Sequence, residues 1–294
     1  MVTRLIFPEK SQEAKKVPGL FFCYTALKMW RDSVQNWMLF VVVLVFAATI
    51  PVTANGQGRG GAARGGGLRG GTVEKVESGN HRITVYLPPS YASDTSRQFP
   101  VIYFLNDSDD GSDAVVDAIK SSADRLAGVQ GFSEPIVVIP DAAATADFQR
   151  LPEDLVAYID SHYRTFKARI SRGLAGRSKG GDAAFHTAAI RPDVFSAVYL
   201  INASGGDMAS LVEGNEANLK KLYAISVDTG TKDSSLAANQ QLHQELMRLH
   251  IPHHYEEYDG GSSNQPGERL ERNLLPFFSK NLAAPANPTS PGVK

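Results

Sequence analysis

"GLAGRSKGGDAAF", residues 173–185, decides the fold. Its centre, Gly176-Arg177-Ser178-Lys179-Gly180, has the pattern G-x-S-x-G. The residues before it are small and apolar, as in a buried strand. Those after it are small and repeat at helical spacing. The pentapeptide therefore sits on a strand-to-helix turn with its serine at the tip, the arrangement of a nucleophile elbow. A serine in a plain glycine-rich loop is the bland alternative, and the flanking strand and helix speak against it. A serine hydroxyl alone is a poor nucleophile. It needs a base, an orienting group and donors for a developing oxyanion.

Outward from the elbow, strands alternate with helices. "RITVYL" (82–87) alternates polar and apolar residues and reads as a half-exposed strand. "VIYFL" (101–105), "PIVVIP" (135–140), "RGLAG" (172–176), "AVYLI" (197–201) and "YAISV" (223–227) are short apolar runs that suit central strands covered on both faces. "HHYEEY" (253–258) is more polar and fits an edge. Helical spacing marks 112–128, 153–163, 178–190, 234–250 and 268–282. This alternation implies an α/β three-layer sandwich with a mostly parallel sheet and no large lid. Ligands of such sheets bind at the carboxyl ends of the strands. Those ends are Asn106 onward, Asp141 onward, Ser178, Asn202 onward, an Asp228–Asp233 turn and an Asp259–Ser263 turn.

The remainder of the 294 residues bounds the setting. The net charge of −1 points to no nucleic acid, and Cys23 alone allows neither a disulfide framework nor a cysteine-based metal site. "WMLFVVVLVFAATI" (37–50) is too short for a spanning helix and suits the core of a signal peptide. We read residues 1–54 as a leader with a cut after Ala54, or as a signal anchor if uncleaved. That makes the protein exported, and its membrane contact confined to this segment. Residues 55–72 are a Gly/Arg-rich linker without the apolar residues to pack. Residues 73–282 form the folded domain, and 283–294 are a Pro-rich tail.

Several stretches together resemble the esterase branch of the α/β-hydrolases. They are "ITVYLPPSY" (83–91), "FPVIYFL" (99–105), "IVVIPDA" (136–142), "YIDSHYRT" (158–165), "SRGLAGRSKGG" (171–181), "RPDVFSAVY" (191–199) and "DTGTKD" (228–233). That branch includes tributyrin-type esterases, S-formylglutathione hydrolases, feruloyl esterases and mycolyltransferases. The resemblance implies an α/β-hydrolase fold and a serine carboxylester hydrolase or acyltransferase acting on a small ester without a cofactor. It makes Ser178 the nucleophile and Asp233 the acid of a triad in the order Ser, acid, His. An Asp at 233 would equally cap the helix that follows.

The third partner is where this chain departs. The family's histidine follows the last strand in a "GGH" turn, and here Ser262 stands at that position. Serine accepts no proton near neutral pH, so Ser178 lacks its usual base. No other histidine substitutes on the sequence reading. His253 and His254 open the last strand at its wrong end, and His186 lies eight residues into the elbow helix, about 12 Å along its axis. His243 and His250 belong to the 234–250 helix, His162 closes another, and His81 precedes the first strand.

The oxyanion loop departs as well. The family's donors correspond to the backbone N–H groups of Asp107 and of Lys179, the residue after the nucleophile. Asn106 and Asp107 replace a His-Gly pair, and Asp109, Asp110 and Asp113 add charge. A carboxylate about 4 Å from a developing oxyanion would cost roughly 4 kcal/mol at an effective dielectric of 20. Arg177 and Lys179 flank the nucleophile, and a charge pair from Arg177 or Lys179 to Asp107, Asp109 or Asp110 would answer that acidity. Lys179 as a replacement base is the bolder version. The loop also partly matches a calcium-binding template through Asn106, Ser108, Asp110 and Asp117, although no helix enters it. Three readings follow: an exported esterase-family hydrolase of weak or no activity, an active esterase with an unusual base, or a binding module using the old cleft.

Overall fold

The computed structural model describes residues 70–79, 81–106, 112–147, 152–261 and 266–285. All belong to one compact unit, Arg64–Lys294. The leader, most of the linker and the end of the tail lie outside the described residues. Among the described residues no helix is long and apolar enough to cross a membrane.

Eight strands form one sheet: β1 Thr72–Ser78, β2 His81–Leu87, β3 Val101–Leu105, β4 Ile136–Pro140, β5 Arg172–Ser178, β6 Ala197–Ala203, β7 Ala224–Gly230 and β8 His254–Tyr258. Their order is β1-β2-β4-β3-β5-β6-β7-β8. β1 and β2 run antiparallel, β2 runs antiparallel to β4, and every other pairing is parallel. The apolar runs behave as a sheet covered on both faces requires. Every residue of β3, β4 and β6 is buried. Burying one such Val, Ile, Leu or Phe side chain stabilises by about 1.5–3 kcal/mol, so these three strands anchor the core.

Helices cover both faces. On one lie α4 Pro152–His162, α5 Lys179–Ile190, α6 Met208–Gly214, α7 Glu216–Leu219 and α8 Leu236–Arg248. They pack Ile159, Phe185, Val212 and Leu242 against Val85, Tyr103, Leu174 and Val198. On the other lie α2 Ser112–Leu126 and the C-terminal helices, with Ile119, Leu274 and Phe278 against Ile102, Ala175 and Tyr199. Two short helices, α1 Pro89–Ser93 and α3 Ala142–Asp147, complete the set.

Four details correct the sequence reading. β1, "TVEKVES", was not anticipated; it is an edge strand with no buried residue on either face, held by its pairing with β2, so it has no apolar alternation to read. The 268–282 helix is α9 Pro266–Arg269, a π-helical turn Leu270–Leu274 and α10 Leu275–Asn281. His250 lies beyond α8 at φ 53°, where its N–H bonds Met247 O, rather than in the helix's last turn. Asp228 is not in a turn. It is fully buried inside β7.

Candidate active site

The elbow is built as its glycines require. Ser178 ends β5 at φ 54° and ψ −130°, a conformation a non-glycine residue rarely adopts. Such strain costs about 1–3 kcal/mol and is held by the surroundings. A Cβ on Gly176 would stand 2.2 Å from Gly180 O, and a Cβ on Gly180 would stand 2.2 Å from Leu105 O. Both glycines are therefore needed for the turn to close against the end of β3. The β5–β6 register shifts between Arg177, paired with Ile201, and Ser178, paired with Ala203, so the irregularity falls at the elbow and at Asn202. Ser178 is half-buried, and among the described residues its hydroxyl has no hydrogen-bond partner.

Lys179 opens α5 and is exposed, so its ammonium stays hydrated. Its backbone N–H is one of the first in the helix, which have no intrahelical acceptor. Asn106 is buried, and its backbone N would lie 3.0 Å from a Cβ on Gly180, so the oxyanion loop begins beside the elbow. Arg177 follows Gly173 and Ala175 along β5 and so shares their face, the one that meets Phe278 and α2. Asp107, Ser108, Asp109 and Asp110 lie outside the described residues, and with them the proposed charge pair and the middle of the calcium template. Asp117 is exposed in the second turn of α2. Among the described residues no group of three or more His, Cys, Asp or Glu side chains could hold a metal ion.

Asp233 lies between β7 and α8. Its Oδ1 accepts from Ser235 N at 2.9 Å and from Ser235 Oγ at 2.7 Å. The N-cap of α8 is Ser235, so Asp233 does not cap the helix as foreseen; its carboxylate closes the turn just before the cap. The turn is sewn to the end of β8: Thr231 N donates to Tyr258 O and Lys232 N to Gly260 O, each at 2.8 Å. The Lys232 ammonium pairs with Asp259 at 2.7 Å. A Cβ on Gly230 would meet Gly260 O at 2.3 Å, so backbone touches backbone here. A Cβ on Gly261 would lie 3.8 Å from Asp233 N. Gly261 immediately precedes Ser262, which itself lies outside the described residues.

Sequence reasoning missed the residue that ties these parts together. Asn202, at φ 44° near the end of β6, accepts from Gly230 N at 2.7 Å and donates to Tyr258 OH at 2.7 Å. One buried amide thus joins the tips of β6, β7 and β8. Its positive φ is the kind Asn tolerates, but no motif announces it. Beneath, on the α10 face, Tyr199 OH and Arg269 Nη2 donate to Asp228, and Arg269 Nη1 donates to Glu256 at 2.9 Å. Arg269 also lies 4.3 Å from the Tyr258 ring centroid. Burial pushes the Asp228 carboxyl up, while the Tyr199 and Arg269 bonds pull it back. The Arg269 bond holds the Glu256 carboxyl below its ordinary range.

All seven histidines fall within the described residues. His253 and His254 stand at the amino end of β8, as expected. His81 requires a correction: β2 is antiparallel, so His81 lies at the carboxyl edge of the sheet. Following the register from Ile83 to Pro140, and across β3 to Gly176, puts it level with Ser178. Three strand spacings separate the two, about 14 Å. Its neighbour is Asp141, 3.8 Å away.

The family model named "Putative esterase" matches residues 77–266. The chain belongs to the esterase family. Solved structures agree at the level of the fold. A ferulic acid esterase superposes with a TM-score of 0.61 at 22% identity, covering 71% of this chain and 97% of that one. An S-formylglutathione hydrolase from Staphylococcus aureus gives 0.59 at 17%, covering 71% and 96%. A ferulic acid esterase from Anaeromyces mucronatus, solved with ferulic acid, gives 0.61 at 18%, covering 76% and 94%. The α/β-hydrolase sandwich of the esterase family is thus the architecture of this chain.

Proposed function

We propose that this chain is an exported esterase-family hydrolase for small carboxylic esters whose turnover is weak or absent. The observation that carries the reading is the geometry around Ser178: a strained, intact elbow with no histidine within reach. His81 is about 14 Å away across three strands, and Ser262 stands where the family resemblance places the base. Without a base the hydroxyl keeps its proton, and attack on an ester carbonyl has no driving partner. The acidic composition of residues 107–113 works in the same direction by opposing an oxyanion. No cofactor enters this chemistry. Export rests on the 37–50 apolar run, and N-terminal sequencing of secreted protein should begin near Asn55; residues 1–54 still attached would favour an anchor.

The test is hydrolysis of p-nitrophenyl acetate and butyrate by the wild type, Ser262→His and the triple variant Ser262→His, Asn106→His, Asp107→Gly, with Ser178→Ala as the blank. Removing a triad histidine costs about 10⁶-fold in a well-studied serine protease, so returning one has large room to act. The wild type should lie near the blank and Ser262→His clearly above it. The triple variant should exceed the single by about 10²–10³-fold, the worth of one oxyanion donor. A wild type as fast as the triple variant would refute the reading and reveal another base.

A further inference from the structure

A second cleft opens at the opposite end of the sheet. It has a volume of about 590 Å³, within the roughly 300–1,000 Å³ range of small-molecule sites. Ala224, Ile225 and Ser226 at the start of β7 and His254 at the start of β8 form one wall, and Pro276 and Phe277 of α10 form the other. The register aligns Ala224 with Ala197 and Gly173. Ser178 lies five residues farther along β5, about 17 Å away in the strand direction. This cleft is therefore separate from the elbow and does not rest on the function proposed for it.

Its lining has a polarity. The open aromatic face is Phe277, which packs edge-on against the buried Tyr199 with ring centroids 5.1 Å apart. Arg272 and Lys280 make the rim basic; His253 and His254 also line the cleft, burial holds the His253 imidazole below its ordinary pKa, and no Asp or Glu lines it. Arg272 shares its charge with Glu268 at 2.7 Å. Lys280 has no ion-pair partner among the described residues, whereas the Asn273 amide donates to Glu256 at 2.9 Å and the Asn281 amide to Phe277 O at 2.8 Å. We propose that this cleft is a binding site for a small aromatic carboxylate, its ring on Phe277 and its charge on Lys280 and Arg272. A flat ring matches the apolar wall, and a carboxylate matches the Lys280 ammonium, which no carboxylate pairs with among the described residues, with Arg272 beside it.

The experiment is titration of the full chain with 4-hydroxybenzoate and with 4-hydroxybenzamide, a neutral molecule of the same shape, followed by calorimetry and by NMR. The carboxylate should bind saturably and the amide about tenfold more weakly or worse, as expected for the loss of a charge-assisted bond. Lys280→Ala with Arg272→Ala, both at exposed positions that leave the core untouched, should weaken the carboxylate by a similar factor. Ser178→Ala should leave it unchanged. Equal affinity for the two compounds, or no saturable binding of carboxylate by folded protein, would overturn the proposal. So would carboxylate binding that persists in the double variant or is lost in Ser178→Ala.

Discussion

Replacing Arg269 by Met should remove the cation that holds a buried carboxylate in place. The Arg269 side chain is 13% exposed and Asp228 is 0% exposed. Without the guanidinium, Asp228 keeps Tyr199 OH and loses its counter-charge. Breaking a buried pair from one side costs about 3–5 kcal/mol, because the remaining charge is stranded. Glu256 is 35% exposed, so water takes over part of its loss and it adds at most about 1 kcal/mol. The contact with Tyr258 adds about as much again if desolvated. These terms share one group and do not sum, so about 4 kcal/mol is the working figure. At roughly 2–4 °C per kcal/mol for a domain of this size, the melting temperature should fall by about 8–16 °C at pH 7. The pH dependence has a definite sign. Asp228 has a raised folded pKa, so its neutral form favours folding at low pH, and that benefit fades as pH rises. Glu256 has a lowered folded pKa, so its contribution is present above its unfolded value and fades as pH falls. Arg269 favours the ionised form of both, so the variant's deficit should be largest near pH 7 and shrink as pH falls through the carboxylate range. Thermal melts at pH 7 and pH 4.5 measure this. Asp228→Leu with Arg269→Met should lose less than Arg269→Met alone, since no charge is stranded. A single variant melting within about 2 °C of wild type at pH 7 would refute the reasoning.

Gly180→Ala should unfold or severely destabilise the domain, by about 3 kcal/mol or more, because its Cβ would meet the Leu105 carbonyl of the adjacent strand rather than a movable side chain. Gly214→Ala is the control: nothing lies within 4 Å of a Cβ there, and urea melts should show a gain of about 0.5–1 kcal/mol. Asp233→Ala should cost about 1 kcal/mol of stability through the lost Ser235 bonds, measurable by urea denaturation even in a Ser178→Ala background. Ser178 should label slowly with a fluorophosphonate; rapid stoichiometric labelling lost in Ser178→Ala would contradict the missing base.

The elbow and the central strands were legible because their signals are local. G-x-S-x-G names its own turn, and runs such as "VIYFL" permit little but a buried strand. Asp228 was not legible. An aspartate next to a glycine-containing stretch reads as a turn, and its reason for lying inside β7 is an arginine 41 residues away. Asn202 was hidden likewise, because its role is defined by Gly230 and Tyr258, partners from two other strands. His81 was misplaced because pairing direction is a property of the sheet and not of "HRITVYL".

The bonds of Asp233 to Ser235 change what its presence can tell. Its carboxylate shapes the turn into α8 whether or not any ester is ever cleaved, and the backbone of that turn is bonded to the end of β8. Selection for a folded protein alone would therefore preserve the aspartate. A deep mutational scan scored on abundance should find position 233 intolerant while position 262 drifts freely. An aspartate held in this way by folding is by its presence alone no sign of catalysis.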